Sequence, residues 1–187
     1  MLPNPTAATP YAGLTPEAVL DALDAVGLRG DGRLLQLNSY ENRVFQVFLE
    51  DGSVVVPKFY RPGRWSDAQI LEEHAFSLEL AAAEIPVVAP LVLAAELNGA
   101  LEARVIGEPG TLAHLDTPTD TRLAVMPRRT GQSPELDNDA TLEWIGRFLG
   151  RIHEIGRART FSHRRSLTPE TYGRASRDWL AQHEARP

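Results

Sequence analysis

The sequence predicts an α+β fold in which a five-stranded antiparallel sheet, interrupted by one long helix, is followed by a purely helical part. Three observations predict this arrangement. Short β-branched and apolar runs bounded by turn residues fill most of the first two thirds of the chain, which is typical of strands. A capped apolar pattern at 66–84 predicts a helix among these strands. Residues 140–155 carry a second helical pattern, and only helical patterns follow it.

The composition is that of an ordinary globular protein, with 187 residues of which 43% are hydrophobic and 24% charged. The net charge of −6 argues against a broad nucleic-acid-binding surface. No apolar run reaches the roughly 18 residues of a membrane span, and the N-terminus shows no signal-peptide pattern. Cysteine is absent, which excludes disulfides and thiolate metal sites. We therefore expect a cytoplasmic protein that binds neither nucleic acid nor membranes.

Capping and turn residues bound the predicted elements. The Thr-Pro-Glu sequence at 15–17 predicts a short helix covering a sheet edge, because it combines a cap, an N1 proline and an acidic first turn. The Asp-Gly pair at 51–52 predicts a hairpin, since both residues tolerate positive φ. We expect a loop leading into a strand at 85–93 and a turn-rich connection at 107–120. The five predicted strands are 34–37, 44–50, a strand around Lys58, 101–106 and 122–126.

The third strand carries a lysine on an apolar face. Alternate residues of a strand share a face, so Val56 and Tyr60 are expected to point the same way as Lys58. An ammonium on such a face is costly unless it finds an anion. Pro57 cannot donate to a ladder, so we expect a bulge there or an amide position without a partner.

The helix at 66–84 offers that anion. Ser66 is its expected cap, and its apolar face includes one charged residue, Glu73. Glu72 falls on the other side, which we expect to face water. Lys58 and Glu73 can therefore satisfy each other and leave lysine donors for a phosphate. From the pattern alone, a purely structural ion pair and two solvated charges remain the alternatives.

The last part of the chain is helical in pattern. Residues 137–139 are expected to cap the helix at 140–155, and a further capped helix begins near Thr168. The basic stretch 157–165 is interpreted as a solvated face or, alternatively, as a contact for a phosphate or an acidic partner. The expected buried seam of the 140–155 helix consists of Leu142, Ile145, Leu149 and Ile152.

Six strings of residues carry a resemblance to a known family. They are LNSYENRVF, KFYRPGRW, ILEEHAFSLEL, EIPVVAP, the Arg-Arg-Thr-Gly connector and GRFLGRIH. Together they resemble the bacterial stress-response serine/threonine protein kinases, a family related to aminoglycoside phosphotransferases and choline kinases. The resemblance runs from about Leu34 to Tyr172. It implies a protein-kinase-like N-lobe at 14–126, a hinge or connector at 127–138, and the start of a truncated helical C-lobe at 139–187. The prolines and the glycine of residues 1–13 predict a loose lead-in before the N-lobe.

The resemblance also implies an ATP site. Lys58 would hold the α- and β-phosphates of ATP, with Glu73 as its partner. Val56 would line the adenine pocket, and residues 126–128 would form the hinge that reads the adenine edge. The string NSYENRVF takes the phosphate-loop position without a glycine, so side chains and backbone amides must supply the donors. The implied nucleotide-binding residues are Lys58, Glu73, Ser39, Tyr40, Glu41, Asn42, Arg43, Val56, Met126, Pro127 and Arg128.

One part of the family pattern is missing. The catalytic His-Gly-Asp…Asn loop and the following metal-binding Asp have no match in the chain. His114-Leu115-Asp116 is a superficial match that we interpret as a surface turn. We therefore expect no catalytic residue and no metal ligand here, and we expect the Mg²⁺ ligands in a missing C-lobe. Alone, the chain is expected to be inactive and to form a homo-oligomer through exposed residues such as Trp144 or Phe148.

Two other functions stay open at this point. The first is the N-terminal part of a small-molecule kinase of the aminoglycoside or choline type, which shares this N-lobe. The second is a non-catalytic binding module with a kinase-like fold. In a full-length kinase the further partner would be a protein substrate. The histidines show no metal-ligand spacing, and we expect His74 and His153 to be satisfied by their surroundings.

Overall fold

A six-stranded antiparallel sheet is the centre of the structure, a computed structural model that describes residue 11 and residues 13–96 and 101–182. Its strands are β1 Gly30–Leu37, β2 Arg43–Leu49, β3 Val54–Tyr60, β4 Ala103–Ile106, β5 Leu112–Leu115 and β6 Thr121–Pro127. They lie in the order β1-β2-β3-β6-β5-β4. The α+β class is confirmed, whereas the predicted number of five strands is wrong by one. The loose lead-in predicted at 1–13 lies almost wholly outside the described residues.

The additional strand is β5, within the connection predicted to consist of turns. All four of its residues are buried, and a run of four with no polar alternation gives little strand signal. The prediction of a strand within 85–93 is wrong, because these residues form no strand. Leu91 N–H donates to the Val125 carbonyl at 2.8 Å and Leu93 N–H to the Gly110 carbonyl at 2.8 Å. These isolated bonds hold the segment against the sheet without extending a ladder.

The helices begin at the predicted caps. The Thr15 side chain accepts from Ala18 N–H at the start of the first helix. Ser66 and Gln69 form a reciprocal capping box at the start of the long inserted helix. Asn138, inside the predicted 137–139 cap, accepts from the first turn of the third helix. The helices are α1 Pro16–Asp24, α2 Asp67–Ala82, α3 Asp139–Arg157, and a π-helical turn Glu170–Arg174 that continues into α4 Ala175–Gln182.

The sheet buries both faces. Helix α1 packs on one of them with the apolar residues of β2, β3, β5 and β6, so it covers a face of the sheet and not only an edge as predicted. Helix α2 packs on the other face. The largest fully buried side chains of the α1-side core are Phe59, Leu23, Leu123, Val19, Val47 and Val125. The α2-side core consists of Tyr60, Ile70, Leu112 and Ala124, with Trp65, Leu71, Ile106 and Met126 packed against it.

Pro57 lies in a central strand without a bulge. Val44 pairs with Lys58 and Val47 with Val55, which is one unbroken register on both sides of the proline. Pro57 itself lies opposite Val125 of β6. The expected bulge is therefore wrong. On the β2 side, the paired residues of β3 are Val55 and Lys58, which lie on either side of Pro57.

Helix α3 exposes several of its apolar residues to solvent. None of its residues is buried, and Leu142 and Leu149 are 47% and 45% exposed. The buried seam predicted for this helix is therefore not buried within the described part of the chain. Trp144 is 59% exposed, as expected, and stacks on Phe148 with ring centroids 5.8 Å apart. None of the helices that the structure describes has the length and apolar character to cross a membrane.

Candidate functional site

Lys58 lies on the α2 side of β3, at the centre of the candidate site. Its Nζ is 4.0 Å from Glu73 Oε1 and 4.5 Å from the centroid of the Tyr60 ring, which shares its strand face. Its side chain is only 22% exposed. Burial lowers the pKa of Lys58, and the charge of Glu73 acts against that shift. At 4.0 Å the pair is an ion pair without a hydrogen bond, so the ammonium keeps donors for another acceptor.

Glu73 projects from α2 towards β3 and has a second cationic partner. Its Oε2 is 2.8 Å from Arg164 Nη1, closer than Lys58 is to the other oxygen. The guanidinium of Arg164 also lies over the ring of Trp65, 4.5 Å from the centroid. Sequence reasoning placed Glu73 on the correct side of the helix but did not identify Arg164. The only signal for Arg164 was its position in the basic stretch 157–165.

The segment predicted as a phosphate loop connects β1 to β2. Ser39 and Tyr40 are exposed, and Tyr40 is fully so. Glu41 turns the other way, accepting from Trp65 Nε1 at 3.3 Å and forming an ion pair with Arg64. Its carboxylate therefore ties the loop to the start of α2.

Two further contacts fix this loop. The side-chain oxygen of Asn42 accepts from Arg61 N–H at 3.3 Å, and the hydroxyl of Tyr11 donates to the Glu41 carbonyl at 2.8 Å. The guanidinium of Arg43 lies 4.8 Å from the centroid of the Tyr11 ring. Glu41 and Arg43 thus hold the shape of the loop through contacts within the protein. The oxygen of Asn42 faces the backbone, while its amide nitrogen is the group that would donate to a phosphate.

The predicted adenine-side residues adjoin Lys58 on the same sheet face. Val56 lies directly opposite Met126 across the β3–β6 pair, and both are half-buried. Pro127 pairs with Val55 at the end of β6, and Arg128 N–H donates to the Val54 carbonyl at 3.2 Å. The connector therefore leaves the sheet beside β3. Of the predicted residues, Lys58, Val56 and Met126 share this face of the sheet, and Glu73 reaches Lys58 from α2.

Helix α2 is tied to the sheet at its first turn. Asp67 accepts from Arg122 Nε at 2.6 Å and lies 2.9 Å from His114 Nε2, while His114 Nδ1 lies 2.9 Å from Asp120. The interpretation of His114-Leu115-Asp116 as a surface turn is wrong, because His114 is a buried residue of β5. It links strand to helix and lies opposite Arg122 in the β5–β6 ladder.

His74, the histidine of α2, is also buried. His74 has both ring nitrogens occupied, with Nε2 2.9 Å from the hydroxyl of Tyr60 and Nδ1 2.9 Å from that of Thr111. This environment agrees with the structural interpretation of His74. Over residues 13–96 and 101–182, no cluster of three or more histidine, cysteine, aspartate or glutamate side chains has a geometry for a metal ion.

The fold is that of a known class of enzyme. The structure resembles amicoumacin kinase hAmiN, solved in complex with AMP-PNP, Ca²⁺ and Ami, with a TM-score of 0.61 and 20% sequence identity. The likeness covers 91% of this chain and 54% of that one. At this identity the comparison shows a shared kinase-like fold and nothing more specific.

Sequence comparison supplies the family. Stress response kinase A of Salmonella choleraesuis is 44% identical over 154 residues, or 82% of this chain and 42% of the relative. The protein of the same name in Escherichia coli K12 is 40% identical over 162 residues, or 87% of this chain and 44% of the relative. Serine/threonine protein kinase RdoA of Salmonella typhimurium is 44% identical over 154 residues. The chain spans about two fifths of the length of these curated relatives.

The family APH, described as the phosphotransferase enzyme family, matches residues 33–187. The chain belongs to this phosphotransferase family, and among its relatives it is similar to the stress response kinases. The resemblance found in the sequence strings is therefore confirmed at the level of the family.

Proposed function

We propose that this chain is the ATP-binding N-terminal portion of a stress-response-type serine/threonine protein kinase. The observation that carries the proposal is the half-buried ammonium of Lys58, whose nearest carboxylate is 4.0 Å away on α2. A cation in a partly desolvated position with unused donors fits an anion such as a phosphate. Family membership and the names of the relatives support the same conclusion.

The geometry suggests how the nucleotide would lie. Lys58 would contact the α- and β-phosphates while Glu73 keeps its ammonium in place. Val56 and Met126, which face each other across two strands, would pack against the adenine. The exposed Ser39 at the β1–β2 connection would add a hydroxyl donor, together with backbone amides of the loop.

Two requirements of phosphoryl transfer are not met by the described residues. No group of three or more histidine, cysteine, aspartate or glutamate side chains there could hold a metal ion, and the sequence has no match to the family's catalytic loop. We therefore propose that the metal ligands and the catalytic loop belong to a part of the protein that this sequence does not contain. On this proposal, the chain alone binds nucleotide without transferring phosphate.

Calorimetric titration with ATP tests the nucleotide site. Lys58→Ala is expected to weaken ATP binding by about tenfold or more, because one charge-assisted hydrogen bond contributes roughly 1.5–3 kcal/mol. Arg33→Ala is the matched control, since it removes an exposed cation that pairs with Asp31 at the start of β1. Equal dissociation constants for the parent chain and Lys58→Ala would contradict the proposed function.

A second candidate is the N-terminal part of a kinase acting on a hydroxylated small molecule. Its support is the fold shared with an amicoumacin kinase and the breadth of the family. The two candidates predict the same nucleotide site and differ in the acceptor. A phosphorylation screen of protein and small-molecule acceptors, with a chain as long as the relatives, separates them. A non-catalytic binding module and a cytoplasmic location stay predictions from the sequence.

A further inference from the structure

The segment 159–166, which follows α3, packs along α2. The carboxylate of Glu72 accepts three successive backbone N–H groups, those of Ser162, His163 and Arg164, at 2.5, 2.9 and 2.7 Å. These bonds lower the pKa of Glu72 although partial burial acts to raise it. The prediction that Glu72 faces water is therefore wrong. Its carboxylate fixes the backbone that carries Arg164.

Other contacts hold the same segment. The ring of Phe161 meets the ring of Phe76 edge-on, with centroids 5.3 Å apart. The side-chain amide of Gln69 donates to the His163 carbonyl at 2.9 Å. The segment is thus attached to three successive turns of α2, through Gln69, Glu72 and Phe76, and Arg164 is the last of the attached residues along the chain.

Arg164 reaches the carboxylate on which the nucleotide site depends. Its Nη1 is 2.8 Å from Glu73 Oε2, while Lys58 Nζ is 4.0 Å from Glu73 Oε1. The guanidinium plane is supported by the ring of Trp65. A planar cation held by stacking and by its own backbone presents a fixed partner to Glu73. Glu73 is therefore oriented by Arg164 more closely than by Lys58.

This arrangement changes the charge available to an anion. Lys58 and Glu73 alone would sum to zero, and the pair would attract a phosphate only weakly. With Arg164 bound to Glu73, the three groups carry one net positive charge. The second cation also shares the carboxylate, so the ammonium of Lys58 is less compensated.

We propose that Arg164 is a positioning residue of the anion site: it holds the carboxylate of Glu73 and leaves the ammonium of Lys58 available to phosphate oxygens. The inference rests on the proposed function and deepens it, because it assigns the charge surplus of the site to a residue outside the Lys58–Glu73 pair. Arg164 acts through Glu73, and no contact with nucleotide is assigned to it.

The charge of Lys58 itself gives a readout that does not depend on nucleotide. Burial lowers its pKa most, the charge of Glu73 raises it, Arg164 lowers it, and Glu41 raises it. Removing the Arg164 charge is therefore expected to raise the pKa of Lys58 as the lysine takes over the carboxylate. Lys58 is the only lysine of the chain, so lysine labelled with ¹³C at Cε gives one side-chain signal to titrate by NMR.

The test compares three variants of the full chain. Arg164→Gln removes the charge and is expected to raise the pKa of Lys58. Arg164→Lys keeps a charge near Glu73 and is expected to leave the pKa of Lys58 closer to that of the parent; its second lysine signal is identified in the double variant Lys58→Ala/Arg164→Lys. Arg159→Gln is the matched control, because Arg159 joins the same segment to α2 through Glu79 at 2.6 Å without touching Glu73. An unchanged or lowered pKa in Arg164→Gln, or an equal rise in Arg159→Gln, overturns the inference.

Binding of tripolyphosphate and of ATP is measured on the same proteins. Arg164→Gln is expected to weaken both by about tenfold, Arg164→Lys by less, and Arg159→Gln not at all. If Lys58→Ala loses binding while Arg164→Gln matches the parent, this inference fails and the proposed function stands. If Lys58→Ala matches the parent, the proposed function fails. Thermal unfolding identifies any variant that loses its fold, and Arg164→Lys then decides the comparison.

Discussion

Buried ionisable side chains lie beside the candidate site, and His74 shows the effect of burial most clearly. The residue is 2% exposed, and its ring contacts two hydroxyl groups. Burial lowers the pKa of His74 to about 4, and the positive charges of Lys58 and Arg164 act in the same direction against Glu73. The neutral imidazole is therefore the form that the fold accommodates. In that form, one ring nitrogen donates and the other accepts.

This pKa predicts how stability depends on pH. Because the pKa of His74 is lower in the folded chain than in the unfolded one, the unfolded chain binds the proton first as pH falls from about 6.5 to about 4. His74 is then expected to contribute up to roughly 3 kcal/mol of pH-dependent destabilisation over that range. Urea unfolding at several pH values should show a flatter profile for His74→Gln. His153→Gln, on exposed α3, should keep the parent profile, and an unchanged slope in His74→Gln contradicts the prediction.

The limits of sequence reasoning at this scale are clear from two neighbouring glutamates. Glu73 was placed correctly because helical periodicity puts it on the apolar face of α2, where a strand lysine can meet it. Glu72 was placed wrongly because its partners are backbone groups ninety or more residues later in the chain. Periodicity reports which face a residue occupies, but not what a distant segment brings to that face.

At the scale of elements, the N-terminal cap of α2 stabilises the helix on which Glu73 lies. The capping box of Ser66 and Gln69 satisfies the first backbone donors of this helix. Ser66→Ala is expected to cost about 1 kcal/mol of unfolding free energy, measured by urea denaturation. Ser77→Ala is the control, since its hydroxyl donates to the Glu73 carbonyl within the helix and alanine favours a helix. A smaller loss in Ser66→Ala than in Ser77→Ala contradicts this role for the cap.

The attachment of residues 159–166 to α2 gives a second element-scale prediction. Glu72→Ala removes the acceptor for three consecutive amides. We expect hydrogen exchange at residues 162–164 to become about tenfold faster or more, because their protection depends on this carboxylate. Glu143→Ala removes an exposed glutamate that pairs with Arg147 on α3, and it should leave those amides unchanged. Equal exchange in the parent and Glu72→Ala would show that other contacts hold the segment.

Elements with strong local signals were predicted well. The Asp-Gly hairpin is present, with Gly52 at φ +84° and Asp51 accepting from Ser53 N–H. The cap residues of α1 and α2 are those expected. Strand β5 was missed because four buried residues between turns have no alternation, and its existence depends on pairing with strands elsewhere in the sheet.

At the scale of the whole molecule, the exposed apolar residues of α3 predict self-association. Leu142, Trp144 and Leu149 are each 45% or more exposed in the described structure. We expect a concentration-dependent shift to a dimer in analytical ultracentrifugation, because such a surface gains free energy when it is covered by a second copy. Leu142→Glu combined with Leu149→Glu should restore the monomer, and Glu143→Gln on the same helix should not. A parent chain that is monomeric at all concentrations contradicts the prediction.

The kinase-like class could be recognised from local strings because these mark the strand lysine, the inserted helix and the connector. The strings do not contain Arg164, the third charged residue of the site beside Lys58 and Glu73. The segment 159–166 lies far from β3 in sequence, and its basic residues alone are typical of a solvated face. Its position depends on tertiary packing, which a single sequence does not reveal.

The attachment of α2 at both ends limits how the helix can move. Its first turn is anchored by Asp67, and the carbonyls just after its last turn receive Arg151 from α3 at 3.3–3.5 Å. A helix held at both ends can rotate about its long axis but cannot pivot about one end. We therefore expect any change in the position of the Glu73 carboxylate to occur by rotation of the helix about its axis or by rotation of the Glu73 side chain. Spin labels at the two tips of α2 should keep constant distances to the sheet when ATP is added.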